Sequence, residues 1–505
     1  MMQKKCVFVL ACLMAVAGSA CADDILSYLS GGAVIAAGPV DAAITMHNSS
    51  NEIFFVSVSS GVLQASKSTD GGNSFAPTTI NSASHTLTNI RKLTLLSRVF
   101  ETALAFFIAD DASGSGIYAL YADANGGLSL YSGGKLDDDT SGAVSDFSAL
   151  PEAQEKFVIF YNKSGVLKYS YVSTSTGTPV LWNSSISSGS QTVSDFQIRE
   201  RYLPLHEAFV GAFRATTEGG VSTLYAFSLI DHLVSRLDQL DSASTAATSV
   251  TSLYTLRDGT MQLVWVNGSR VSVFVDTGIG WVRRLLQTLA FNVGEYIPVT
   301  NGQTVVDAIL GGQAPVKLYA NIDTTEGLSV PLFPLPILRI PGGVVLPSSF
   351  LMTALVDDPT GKKFASKSYS FDTSTWTDVL IPSLPQTGVL DAWFSGMIVA
   401  RFAAVLTQQD GENRVGVFSF DVETLSYEKV LDLDAADATA LQGETLPGDL
   451  LALLVGQKLY LADTGSFVSE SLPDAAQIRS LQTDDGIPRF LVGNDSGWKL
   501  AAKRM

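Results

Sequence analysis

The feature that most narrows the folds open to this chain is a unit that recurs along nearly its whole length. Each unit reads as an apolar strand, a polar hairpin, a second strand, and then a turn led by Asp or Ser. Residues 53–56 and 62–66, with the turn at Asp70, form the first instance. Further turns fall at Asp123, Ser175, Asp231, Asp276, Asp323, Asp372, Asp421 and Asp463, at an average spacing of about 49 residues. A period of roughly 40–50 residues with several strands per unit marks propeller blades, which bury their faces only against neighbours. The expected fold is therefore all-β: a β-propeller of four-stranded blades, with as many as ten modules. The last module has candidate strands at 478–482, 489–492 and 498–501 but no fourth. Residues 25–29 or 33–36 can supply it, which would pair the two ends of the chain and hide both sheet edges.

Composition supports a folded, soluble-type chain and excludes one large functional class. Hydrophobic residues make up 46% of the chain and charged residues 16%, enough apolar surface for a large core. The net charge of -17 argues against a nucleic-acid partner, which requires a basic footprint.

The first 22 residues bear on compartment. Lys4 and Lys5 precede an uncharged apolar run at 6–17, shorter than the roughly 20 residues of a membrane span. Ala20-Cys21-Ala22 follows as an A-x-A cleavage site, so 1–22 read as a secretory signal and 23–505 as the propeller region. Ser19-Ala20-Cys21 also resembles the end of a lipobox, which leaves a lipid anchor at Cys21 as the alternative. Either way the expected location is extracytoplasmic: secreted, periplasmic or at the cell surface. The three cysteines all lie in this leader, so disulfides and thiol chemistry are not expected in the mature chain. The Pro-rich stretch from Pro331 to Pro347 is too broken by proline for a transmembrane span. It reads as an inter-blade connection with one edge strand, or as a seam near 328–348 between two propellers.

Ser68-x-Asp70-x-Gly72-x-x-Phe75 matches S-x-D-x-G-x-x-F/W at every specified position. A Ser hydroxyl and an Asp carboxylate can each accept main-chain N–H bonds in a tight turn, and Gly72 tolerates positive φ. The motif resembles the Asp-box, or BNR repeat, of sialidase-like propellers. Asp276-x-Gly278-x-x-Trp281 keeps three of the four positions; Ser370-x-Asp372 with Trp376 and Asp463-x-Gly465 with Phe467 are looser echoes. In that family the box lies on the periphery, so the resemblance implies fold and a structural role for Ser68, Asp70, Gly72 and Phe75, not catalysis.

Two functions from different classes remain. A sialidase-like glycoside hydrolase would, by the resemblance, need an arginine triad for a carboxylate, an Asp acid/base and a Tyr–Glu pair. Leu338-Arg339-Ile340-Pro341 resembles the family's F/Y-R-I-P signature, and Asp357-Asp358 follows within one module. Leu338 replaces the aromatic residue, however, and some six modules precede Arg339 where the family has none. The other function is recognition: an exported scaffold that binds a protein or glycan partner without cofactor or catalysis. The histidines His47, His85, His206 and His232 show no metal-ligand spacing, and Asp137-Asp138-Asp139 reads as a solvated acidic loop.

Overall fold

The computed structural model describes residues 25–504 apart from short internal segments, of which 174–183 and 322–331 are the longest. Every regular element among the described residues is a β-strand. The first blade is an antiparallel meander of Ala42–His47, Ile53–Ser59, Val62–Ser68 and Ala76–Pro77. The same order recurs over 88–130, 144–185, 192–244, 249–288, 342–379, 389–434 and 441–471, and 293–321 contributes three described strands. The architecture is a β-propeller.

Each blade shows why its sequence suits its place. Second strands are covered on both faces by neighbouring blades, so Met261–Asn267 is buried at every position. An outermost strand such as Leu233–Ser244 alternates between exposed and part-buried positions along most of its length. The apolar clusters lie between consecutive blades. Phe54 and Val56 of the first blade, for example, pack with Phe107 and Tyr118 of the second.

The closing blade joins both ends of the chain, as the sequence led us to expect. Gln477–Thr483, Arg489–Asn494 and Gly497–Lys503 form its first three strands. Both candidate segments complete it: Leu26–Tyr28 and Val34–Ala36 each pair antiparallel with Gly497–Lys503. On the inner side, Ile44 and Thr45 of the first blade pair in parallel with Gln482 and Thr483.

The turns at Asp70, Asp123, Asp231, Asp276, Asp372, Asp421 and Asp463 all fall at third-to-fourth strand connections. Ser175 and Asp323 lie outside the described residues, as do the leader and its cysteines. The Pro-rich stretch is described only in part; Phe333 and Ile337 are buried against Phe350 and Val356 of the seventh blade. Strand Gly342–Val345 then forms the edge of that blade's sheet. No helix among the described residues is long and apolar enough to cross a membrane.

Candidate functional site

The turn at Ser68–Phe75 is built from its own side chains. The Gly72 N–H donates to Ser68 Oγ at 2.7 Å, and Ser68 Oγ donates to Asp70 Oδ1 at 2.7 Å. Asp70 also accepts the Ser74 N–H at 2.9 Å and the Ser74 hydroxyl at 2.6 Å. The Ser74 bonds, more than that from Ser68, hold the Asp70 pKa down at about 2. Gly72 has φ 96°, and a Cβ there would stand 3.2 Å from Leu29 of the N-terminal segment. Phe75 packs against the apolar cluster between the closing and first blades. Asp276 and Asp463 make the same kind of bond, accepting the N–H of Gly278 at 2.9 Å and of Gly465 at 2.8 Å. Asp70 serves its own turn, whereas Asp276 also pairs with Arg201 of the fourth blade and Asp463 with Lys503 of the closing blade.

Arg339 faces an acid of its own chain. Its Nε and Nη2 donate to the two Asp391 oxygens at 2.7 and 2.5 Å, a bidentate pair between the seventh and eighth blades. Asp391 also accepts the main-chain N–H of Leu441 in the ninth blade at 2.9 Å. Burial alone would raise the Asp391 pKa, but Arg339 and the N–H donors outweigh it and lower the pKa. Asp358, the other acid of the motif region, is engaged by Lys363 and Thr360.

Asp391 belongs to a pattern that the sequence reading missed. Register shifts occur between Val144 and Asp146, Val193 and Asp195, Val293 and Glu295, and Val389 and Asp391, each in the first strand of a blade. The recoverable signal was a Val-x-Asp/Glu tripeptide returning at the blade period. A bulge there redirects one side chain, and Asp195, like Asp391, meets a main-chain donor of the next blade, Thr251.

Among the described residues, a group of His, Asp and Arg side chains gathers where the two chain ends meet. His47 ends the first strand of the first blade, and Asp484 and Asp485 follow the first strand of the closing blade. His47 Nδ1 lies 2.7 Å from Asp484 Oδ1, and the His47 N–H donates to Asp484 Oδ2 at 2.9 Å. Arg489 reaches both Asp485 oxygens at 2.8 and 2.7 Å, and its Nη2 lies 3.4 Å from His47 Nε2. Asp484 is fully buried, and the side chains of His47 and Arg489 are 8% and 4% exposed. Burial would raise the Asp485 pKa, but the Arg489 guanidinium overrides it and keeps the pKa low. His47, Asp484 and Asp485 offer three ligand atoms within 4.8 Å of one another, enough to suggest a cation site. Arg489 already supplies the cation that Asp485 requires, so a metal ion would have to displace a buried guanidinium. The arrangement fits a tie between chain ends. No sequence signal could have found it, since His47 and Asp484 are 437 residues apart.

Two other histidines also meet acids: His85 lies 3.1 Å from Asp111, and His232 lies 2.8 Å from Glu152. The side chain of His206 lies outside the described residues. Asp137 corrects the expectation of a solvated loop. It is fully buried, accepts the Ile117 N–H at 2.8 Å and pairs with Lys163 at 2.7 Å, because the loop folds back onto the second blade. Asp138 and Asp139 are not among the described residues.

No family model matches the chain, and no curated protein matches it. Solved structures similar to it include Sqt1 from Chaetomium thermophilum, at 11% identity and TM-score 0.34, covering 82% of this chain and 97% of that one. The WD40 domain of SCAP from fission yeast is similar at 9% identity and TM-score 0.34, covering 82% and 91%. A protein from Lactobacillus plantarum is similar at 11% identity and TM-score 0.29, covering 72% and 91%. At these scores the fold assignment rests on the chain's own sheets.

Proposed function

We propose that the chain is an exported propeller of the Asp-box type that recognises or scaffolds a protein or glycan partner and performs no catalysis. The observation that carries this reading is the Arg339–Asp391 pair. Arg339, the arginine of the signature-like motif that a sialidase-like mechanism would draw on for a substrate carboxylate, already holds a carboxylate of its own chain, bidentately and across a blade interface. Among the described residues, His47 and His232 are likewise engaged with acids of neighbouring blades. What such a rigid scaffold leaves for a partner is its loops and edges.

Export places the mature N-terminus at Asp23, with a diacylated Cys21 as the anchored alternative; mass spectrometry of the mature chain separates the two, and an intact Met1 defeats both. A fluorogenic sialoside assay tests the absence of catalysis. No turnover is expected. Turnover that disappears in Arg339→Ala while the fold is retained would overturn the recognition reading in favour of a glycoside hydrolase.

A further inference from the structure

The fourth strand of the first blade is only two residues long. Ala76–Pro77 pairs only with Lys67 and Ser66, and the Thr78 N–H adds a bond to Ala65 O at 3.0 Å. In that antiparallel register the next bonded pair would be Leu63 with Ile80. Ile80 instead turns away and pairs in parallel with Leu128 of the second blade. Leu63 therefore presents its outward N–H and C=O along an open edge, and among the described residues no strand covers them.

A cleft of 460 Å³ lies beside this edge. Phe55 and Ser57, each 2% exposed, line its inner part, with Gln64, Ser66 and Thr78 around them. Ile35 of the N-terminal strand lines it as well, so the cleft lies at the junction of the closing and first blades. The Ser66 hydroxyl is buried with no hydrogen-bond partner among the described residues. Among the described residues no ionisable side chain lines the cleft, although the chain carries a net charge of -17. Its volume falls in the range of ordinary ligand pockets, about 300–1,000 Å³.

We propose that this cleft binds an extended, uncharged segment of a partner protein, which adds as a short strand along Val62–Gln64. Main-chain groups at Leu63 supply the pairing. Alternate side chains of the segment point into the cleft, where a hydroxyl or amide meets Ser66 and an apolar group meets Phe55. A charged side chain would be desolvated there without a counter-charge. This inference rests on the recognition reading and names the chemistry of its partner.

The probe is the acetylated and amidated pentapeptide Val-Thr-Val-Thr-Val, carrying a fluorophore for anisotropy; with its central Val opposite Leu63, both Thr side chains fall on the face of Gln64 and Ser66. It is expected to bind, and to slow hydrogen exchange of the Leu63 amide. N-methylation of its central amide should weaken binding about tenfold, the value of one main-chain hydrogen bond, and replacing each Thr by Glu should weaken it further. Ser66→Phe should fill the cleft and abolish binding, while the N-methylated peptide gives the same information on unaltered protein. Equal binding of the methylated and unmethylated peptides, or no protection at Leu63 under saturation, overturns the proposal. Equal binding of the Glu peptide overturns the uncharged specificity. Failure of the probe leaves the recognition reading standing, whereas sialoside turnover would remove that reading without altering the peptide result.

Discussion

Asp70 shows how far one residue's environment is set by its immediate neighbours. Its pKa lies near 2 because the Ser74 hydroxyl and N–H, and then the Ser68 hydroxyl, favour its charged form. A depressed folded-state pKa contributes stability that is present above the unfolded value and lost as pH falls. Here that window runs from about pH 4 down to about pH 2. A carbon-13 titration of the Asp70 carboxyl should show this midpoint, and Ser74→Ala should move it back toward 3.8; no movement would contradict the assigned cause. Ser68 is 1% exposed and accepts the Gly72 N–H. Ser68→Ala should cost about 1–2 kcal/mol in urea unfolding, since it strands a buried donor. The Ser, Asp and Gly of this turn could be read directly from the sequence because every bond spans at most four residues.

Among elements, the first strands of the blades carry an adjustment that spacing alone does not reveal. A Cβ on Gly443 would stand 2.4 Å from the Trp393 ring of the preceding blade, and one on Gly342 would stand 2.5 Å from Phe394. Trp393 and Phe394 are adjacent, so the strand Val389–Phe394 sends one ring toward each neighbouring blade, and each neighbour answers with a glycine. Gly443→Val should cost about 1–3 kcal/mol through overpacking. The loss should be relieved by Trp393→Ala in a double-mutant cycle, whereas additive losses would show that the two positions do not couple.

For the whole molecule, the decisive joint is where the two ends meet. The inner parallel pairing there spans only two residue pairs, Ile44 with Gln482 and Thr45 with Thr483. Buried polar groups extend it: Asp484 holds the His47 ring and main-chain N–H, while Asp485 holds the Arg489 guanidinium. Removing Asp484 strands the His47 main-chain N–H and ring nitrogen, at about 1–3 kcal/mol for each buried group left unsatisfied. Asp484→Ala should therefore loosen closure, with faster hydrogen exchange in Gly497–Lys503, the strand that holds both N-terminal segments. Unchanged exchange in that strand would mean that the N-terminal pairing closes the ring without help from the cluster.

The sequence by itself determined the strand content, the blade period, the position of those turns that lie among the described residues, and the identity of the closing segments. These follow from local rules: alternation of side chains along a strand, and the few residue types that close a tight turn. Only the tertiary structure decided what the charged groups do. Arg339 reads as a ligand-binding motif until Asp391, 52 residues away, takes its guanidinium. His47 reads as an isolated histidine until closure of the ring brings Asp484 to it. The open edge at Leu63 likewise depends on Ile80 leaving for the next blade. A side chain's local sequence fixes the element it sits on, but its partners come from neighbouring blades and from the closed ends, and those distances are set by the ring.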